Sequence, residues 1–320
     1  MKIITLGSGA TGSSAIEDYL LGREDITSAP INQEFRLIQD PGGLIELHAA
    51  ICFGFHMNRA SAAIEAFKDL CDRCGRSKSW HPKGLNYRKT IKNFDEKVDR
   101  FINRITAVSY SGFPFCERSK LTKWQSYLYF RKLSKAKSKG SKPDIGTMRL
   151  PVAEDVFLKE AETFLNSLIL DGEDGFDKPI VIEQGGSFWT PVSSTRYFGN
   201  RKVIVVTRDP RDIFSEILDD GFAYPGRDVE LFSSWFQAMM KHLDWSEWED
   251  DNVIHIKFED FVLDYPKQKK LLDERLGLDV NISSSYNPKL SEKNIGKYKS
   301  IISENEAKFI ESHLKQYLHY

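Results

Sequence analysis

The sequence is short of cysteine, of long apolar runs and of net charge. Its 320 residues carry four cysteines, Cys52, Cys71, Cys74 and Cys116. That is too few for a disulfide framework at this length and fits a reducing compartment. Cys71 and Cys74 form one C-x-x-C with no second pair, and His81 is the nearest further ligand, so no metal is assigned. No apolar run reaches the roughly 18 residues that a spanning helix needs. The opening Met1-Lys2-Ile3-Ile4-Thr5-Leu6 is too short for a signal peptide, so a cytoplasmic chain with no transmembrane segment is expected. Lysine and arginine number 45 against 46 acidic residues, a net charge of −1. The whole surface therefore has no pull on a polyanion, and a nucleic-acid partner is not expected.

The near-zero total conceals a segregation. Residues 76–149 hold 19 basic and five acidic residues, a net of +14, which leaves −15 for the rest of the chain. The basic stretch is also rich in aromatics, Trp80, Trp124, Tyr127 and Phe130 among them. Within it, residues 132–142 (KLSKAKSKGSK) are close to low complexity and read as a mobile loop. Two readings of the segment stay open. One is a solvated helical insertion. The other is a cationic wall for an anionic ligand, a dimer interface or a peripheral contact with a membrane surface.

Elsewhere strand-like and helix-like patterns alternate. Residues 2–6, 34–38, 180–183, 203–207 and 253–258 read as strands. Residues 13–21, 211–218, 229–243 and 304–317 read as helices. Phe232, Trp235, Phe236 and Met239 recur at helical spacing and are expected in the core. Alternation of this kind predicts an α/β fold with a parallel sheet covered on both faces. With 41% hydrophobic residues, the chain is expected to form one domain over 1–320 with a basic helical insertion at about 76–149.

The strongest local signal runs Leu6-Gly7-Ser8-Gly9-Ala10-Thr11-Gly12-Ser13-Ser14. A strand enters a glycine-rich turn and leaves into a helix. Glycines let backbone amides converge, and a helix N-terminus adds unpaired N–H groups and a positive dipole end. The result is a phosphate cradle formed by Gly9, Ala10, Thr11, Gly12, Ser13 and Ser14. By spacing alone two families of cradle compete. Gly7, Gly9 and Gly12 satisfy the dinucleotide pattern G-x-G-x-x-G, with Glu34 at about the distance of its ribose-binding acid. Gly7, Gly12 and Ser14 satisfy most of G-x-x-x-x-G-K-[ST], but Ser13 stands where a P-loop kinase needs lysine.

A second block, Val203-Ile204-Val205-Val206-Thr207-Arg208-Asp209-Pro210-Arg211-Asp212, is a strand, an arginine and a proline-opened helix. Arg208 then falls at a strand's carboxyl end, where open α/β sheets bind ligands and where a guanidinium suits a phosphate monoester.

With both blocks in hand, the chain resembles the sulfotransferase superfamily that uses 3′-phosphoadenylyl sulfate (PAPS). Lys257-Phe258-Glu259-Asp260-Phe261 is similar to that family's [YF]-E-D-[LF] strand end. Asn294-Ile295-Gly296-Lys297-Tyr298-Lys299 is similar to its C-terminal nucleotide-closing loop. Four blocks in order thus span residues 3–299. More narrowly, Gly12-Ser13-Ser14-Ala15 followed by Glu34-Phe35-Arg36-Leu37 is similar to sulfotransferases of bacterial surface-polysaccharide clusters. The resemblance implies a P-loop-like three-layer fold and a PAPS donor without a metal. It also implies in-line transfer of a sulfo group to a hydroxyl of a glycan or another small acceptor. It places the 5′-phosphosulfate on the loop, the 3′-phosphate on Arg208 with Ser215 assisting, and Lys297 and Lys299 over the nucleotide. Glu34 is the implied base, with His48 and His56 as alternatives, and Arg36 is the candidate to replace the basic residue that the loop lacks.

The chain departs from the family pattern at three places. Ala10 stands where a basic loop residue is usual, Glu216 where a serine is usual, and Gln184-Gly185-Gly186-Ser187 where lysine-serine-proline is usual. The rival readings are a P-loop-type kinase and a non-catalytic nucleotide-binding protein on the same fold. A basic nucleic-acid binder ranks last, since the acidic remainder of the chain repels a polyanion.

Overall fold

The structure is a computed structural model that describes residues 1–31, 34–77, 84–112, 121–138, 146–169, 178–218 and 224–320. His81, Cys116, Trp80 and residues 139–142 lie outside the described residues. In chain order, Met1–Phe35 supplies β1 (Lys2–Leu6), α1 (Ser13–Leu21) and the short β2 (Thr27–Ser28). Arg36–Asp171 supplies α2 (Leu44–His48), which runs into a π-helical turn Ala49–Phe53, then α3 (Met57–Gly75), α4 (Tyr87–Thr90) and α5 (Phe94–Arg104). It continues with β3 (Thr106–Ser111), α6 (Lys123–Ser138), β4 (Thr147–Pro151) and α7 (Glu154–Ile169). Gly172–Tyr320 supplies β5 (Ile180–Glu183), α8 (Pro191–Thr195), β6 (Arg201–Thr207), α9 (Pro210–Ile217), α10 (Val229–Met240), α11 (Trp245–Trp248) and β7 (Val253–Lys257). It ends with α12 (Phe258–Leu263), α13 (Tyr265–Leu276), α14 (Pro288–Glu292) and α15 (Glu304–His313).

Two compact units result. Residues 1–35 join 172–320 in the first, and residues 36–171 form the second.

The first unit is α/β. Its five-stranded parallel sheet has the order β2-β5-β1-β6-β7. All five residues of β1 are buried, as a central strand covered on both faces requires. One face packs Ile3, Val181, Ile204, Val206, Ile254 and Ile256 against α1, α12 and α13. The other face carries His255, whose ring meets Trp248 of α11 at 5.1 Å. Helices on both sides of a parallel sheet make the three-layer P-loop-like fold. In the dinucleotide order 3-2-1-4-5-6 the second strand lies beside the first. Here β5 separates β2 from β1, which removes the dinucleotide reading that the glycine spacing left open.

Residues 34–38 are not a strand. Phe35 donates one backbone bond to the carbonyl of Glu183, at 2.8 Å, but the carbonyls of Leu37 and Ile38 accept from Leu44 and Ile45. Those carbonyls serve the first turn of α2, and Asp40-Pro41-Gly42 turns the chain before any ladder can form. The second strand of the sheet is Thr27–Ser28 instead.

The second unit is mainly helical. Phe67 of α3, Phe101 of α5 and Phe164 of α7 meet with ring centroids 4.5–6.0 Å apart, and β3 pairs antiparallel with β4. Cys71 and Cys74 lie buried on α3 as free thiols. Residues 132–138 are helical, not loop. Lysine, alanine and leucine are strong helix formers, and the first glycine comes only at 140. The expected terminal helix stops at His313, and a 3-10 turn Lys315–Tyr317 follows. Of the residues expected in the core on α10, Phe232 and Phe236 are buried, whereas Trp235 and Met239 are half-buried.

Candidate functional site

The glycine loop leaves the carboxyl end of β1, the middle strand of the sheet. Gly9 (φ 94°), Ala10 (φ 52°) and Gly12 (φ 81°) all adopt the left-handed region. Glycine is required at two of these for a further reason. An added Cβ at Gly12 would run into the ring of Phe258, and one at Gly9 into Tyr224. Ala10 holds the same conformation with a side chain, a local strain of the kind that collects at ligand-binding turns. Gly12 is also the N-cap of α1 and supplies no side-chain cap, so the first-turn amides at Ser13 and Ser14 gain no such partner. Gly7 N–H donates to Oε1 of Gln184 at 3.3 Å, which ties the loop to the end of β5. Thr11 is 3% exposed, and its hydroxyl has no hydrogen-bond partner.

Arg208 follows β6, the strand beside β1. Its side chain is buried, and it reaches all of the other sequence blocks. Nη1 donates to the carbonyl of Ala10 at 2.9 Å, and Nη2 to that of Asn294 at 2.7 Å. The guanidinium lies 5.2 Å from the ring centroid of Phe258, a cation–π contact. Its Nε is buried and unpartnered.

The segment around Gly296 is held by Asp212 on α9. Asp212 accepts from the amides of Gly296 (2.8 Å) and Tyr298 (3.0 Å) and from the hydroxyl of Tyr320 (2.7 Å). Asp209 caps α9 by accepting from Arg211 N–H, and its own amide donates to Glu259 at 2.9 Å. Glu259 accepts that bond with one oxygen, and His319 Nδ1 lies 2.5 Å from the other.

The remaining predicted residues fall as follows. Ser215 is buried and donates to the carbonyl of Asp212 at 2.8 Å, within its own helix. Lys297 Nζ meets Glu216 Oε2 at 3.0 Å, and that oxygen lies 4.0 Å from Arg208 Nη1. Glu216 thus sits between two cations. Lys299 Nζ lies 6.0 Å from the ring centroid of Tyr298. Glu34 belongs to the loop's unit and contributes to an acidic group with Glu17 and Glu183. Burial, then Glu183, Asp18 and Glu34, push the Glu17 carboxyl up to about 7. Arg36 and His48 belong to the second unit. Arg36 pairs with Asp40 at 3.5 Å, while His48 meets Glu154 at 3.1 Å and stacks on Phe157. His56 accepts from Asn58 N–H at the start of α3. Among the described residues, ligand atoms of His48, Cys52 and Glu154 lie within 4.8 Å of one another, a spacing compatible with a metal.

Sequence reasoning missed a cavity of about 140 Å³ at the carboxyl ends of β6 and β7. Ser8, Thr11 and Arg208 line it on the side of the glycine loop, and Phe188, Trp245 and Trp248 supply aromatic wall. His255 and His319 also face it. Burial, then His319 and Lys257, lower the His255 imidazole to about 4, so this ring is neutral at physiological pH. His319 sits beyond the last block, and no pattern in the chain marks it. Phe258 was inside a quoted block, but only packing reveals its contacts with Gly12 and Arg208.

No protein-family model matches the chain, and no curated protein matches it. The structure is similar to solved sulfotransferases, over nearly its whole length in two cases and under half of it in a third. The sulfotransferase domain of the curacin biosynthetic pathway is 14% identical over 98% of this chain and 97% of that one, with a TM-score of 0.40. Sulfotransferase STF9 from Mycobacterium avium is 12% identical over 98% of this chain and 76% of that one, at 0.37. Mouse SULT7A1, solved with PAP, is 16% identical over 44% of this chain and 66% of that one, at 0.30. These similar structures are all sulfotransferases, at low identity and with TM-scores of 0.40 or below.

Proposed function

We propose that the chain is a PAPS-dependent sulfotransferase that transfers a sulfo group to a hydroxyl. One observation carries the reading. Four sequence blocks, scattered from residue 3 to residue 299, meet at the guanidinium of Arg208, through Ala10, Phe258 and Asn294. Such convergence at the carboxyl end of a parallel sheet is what a nucleotide phosphate site requires. The residues suit an anionic ligand. Arg208 Nε and Thr11 Oγ1 are buried without a protein partner, and unsatisfied buried polar groups are rare unless something else binds them.

In this reading the loop amides from Gly9 to Ser13 and the hydroxyls of Ser13 and Ser14 hold the 5′-phosphosulfate. Arg208 takes the 3′-phosphate, with Ser215 adjacent, and Lys297 and Lys299 close over the nucleotide. The acceptor oxygen forms a bond to sulfur, the sulfur–oxygen bond to the donor phosphate breaks, and the electron pair stays on that phosphate. The loop amides stabilise the leaving charge. Glu34 receives the acceptor proton, and its place in the same unit as the loop favours it over His48, which is engaged with Glu154. Arg36 is given no place at the loop, because it belongs to the other unit and pairs with Asp40 there. A glycan acceptor rests on the narrower sequence resemblance alone.

Glu216 supports a second reading, a nucleotide-binding protein without turnover, because it already neutralises the cations that would meet a phosphate. Calorimetric titration with 3′,5′-adenosine bisphosphate, beside ATP–magnesium and NAD, separates these cases. The bisphosphate is expected to bind alone, and Arg208→Ala and Arg208→Lys, checked for a native melting transition, are expected to lose it. Preference for ATP–magnesium overturns the reading in favour of a kinase. Bisphosphate binding with no sulfo transfer to any acceptor tested favours the second reading.

A further inference from the structure

Helix α6 (Lys123–Ser138) is the one described helix of eight residues or more with no buried residue. Its sequence contains five cations, Lys123, Arg131, Lys132, Lys135 and Lys137, and no acid. At 3.6 residues per turn, Trp124, Tyr127, Leu128, Arg131, Lys132 and Lys135 share one face. The opposite face, Ser126, Tyr129, Leu133 and Ala136, is half-buried, so the first set points outward. Trp124 is 68% exposed, Tyr127 55% and Leu128 44%. Trp124 and Tyr127 stack on each other at 5.7 Å, and neither ring reaches a core.

Along this face the chemistry is graded. Rings and aliphatic groups occupy the N-terminal half and cations the C-terminal half. A cleft of about 590 Å³ beside the helix joins the same chemistries, Leu121, Leu128 and Tyr129 with Arg131, Lys132 and Lys135. Large apolar side chains left in water at this density mark an interaction surface. Tryptophan and tyrosine beside lysine and arginine are the composition of helices that lie in a bilayer interface.

We propose that α6 docks this protein on an anionic membrane surface, with Trp124, Tyr127 and Leu128 entering the interface and Arg131, Lys132 and Lys135 pairing with lipid headgroups. The occupant is argued from charge complementarity: an acid-free cationic face wants an anionic partner. The aliphatic part of the cleft favours lipid over nucleic acid, because leucine offers no stacking surface to a base. This inference does not depend on the reaction the protein catalyses.

The test is flotation of the full chain with vesicles of neutral phosphatidylcholine, and of phosphatidylcholine with three parts in ten phosphatidylglycerol. Binding is expected at least tenfold tighter on the anionic vesicles and weakened by salt. Lys132→Glu with Lys135→Glu is expected to reduce it by at least about fivefold for each charge reversed. Trp124→Ala with Leu128→Ala is expected to reduce it too, and to abolish a blue shift in tryptophan emission on binding. Far-ultraviolet circular dichroism and melting confirm that the variants fold. Binding that ignores the Trp124 and Leu128 changes, binding to neither vesicle, or capture by single-stranded RNA with no vesicle binding would each overturn the proposal.

Discussion

Glu216 is the residue on which the site turns. Its carboxylate lies 3.0 Å from Lys297 and 4.0 Å from Arg208, and so competes with any phosphate for both cations. It is partly exposed, so the competition is screened and modest, but its sign is fixed by charge. In the proposed reading, replacing it by serine removes one negative charge next to the 3′-phosphate. Glu216→Ser is expected to tighten 3′,5′-adenosine bisphosphate binding about tenfold and to leave 5′-AMP nearly unchanged. Calorimetry at 50 and 300 mM salt checks this, and the gain should shrink at the higher salt. An equal gain for both nucleotides would place Glu216 away from the 3′ position.

At the scale of elements, the loop is only as well placed as α1. That helix is held by a buried network with α13. Arg23 pairs with Asp273 at 3.0 Å, and Tyr19 donates to the same carboxylate at 2.5 Å, all three side chains being buried. Removing one member strands the others without water. Asp273→Ala is therefore expected to cost about 3–5 kcal/mol, read by urea unfolding, and to loosen donor binding through the loop. Had the pair been exposed, less than about 1 kcal/mol would follow. Arg23, which no motif contains, thereby anchors the helix that follows the glycine loop. The same scale shows where reading the sequence failed. Residues 34–38 have the composition of a strand, yet their carbonyls serve α2. Residues 132–138 look like a loop by charge and repetition, yet lysine and alanine sustain a helix. In both cases the deciding hydrogen-bond partner or propensity was local, but a more conspicuous pattern masked it.

For the whole molecule, two shifted titrations give stability a pH dependence with opposing signs. The Glu17 carboxyl is raised to about 7, so its contribution is full below about pH 4.5 and is lost as pH rises through 7. The His255 imidazole is lowered to about 4, so its contribution is full above about 6.5 and is lost as pH falls through 4. Between these limits the two slopes offset, and the melting temperature should vary little from about pH 5 to 6.5. Glu17→Gln is expected to raise the melting temperature relative to the parent at pH 8 and to leave it level at pH 4.5. A variant that gains equally at both pH values would show that packing, not ionisation, sets the difference.

What the sequence determined alone was the inventory. Period-two and period-3.6 patterns are local, so the alternation of strands and helices, the strand–loop–helix at Gly7 and the proline-opened helix after Arg208 could all be read from the chain. The separation of charge into residues 76–149 could be read as well. Tertiary structure alone decided adjacency. Which strand lies beside β1 depends on crossovers that no local pattern encodes, and that order rejected the dinucleotide reading. The closing of Arg208 on Ala10, Phe258 and Asn294, the pairing of His319 with Glu259, and the cavity that Arg208 and His319 line join residues separated by tens to hundreds of positions. Contacts of that range are selected by the packing of the whole core. Spacing along the chain carries no record of them.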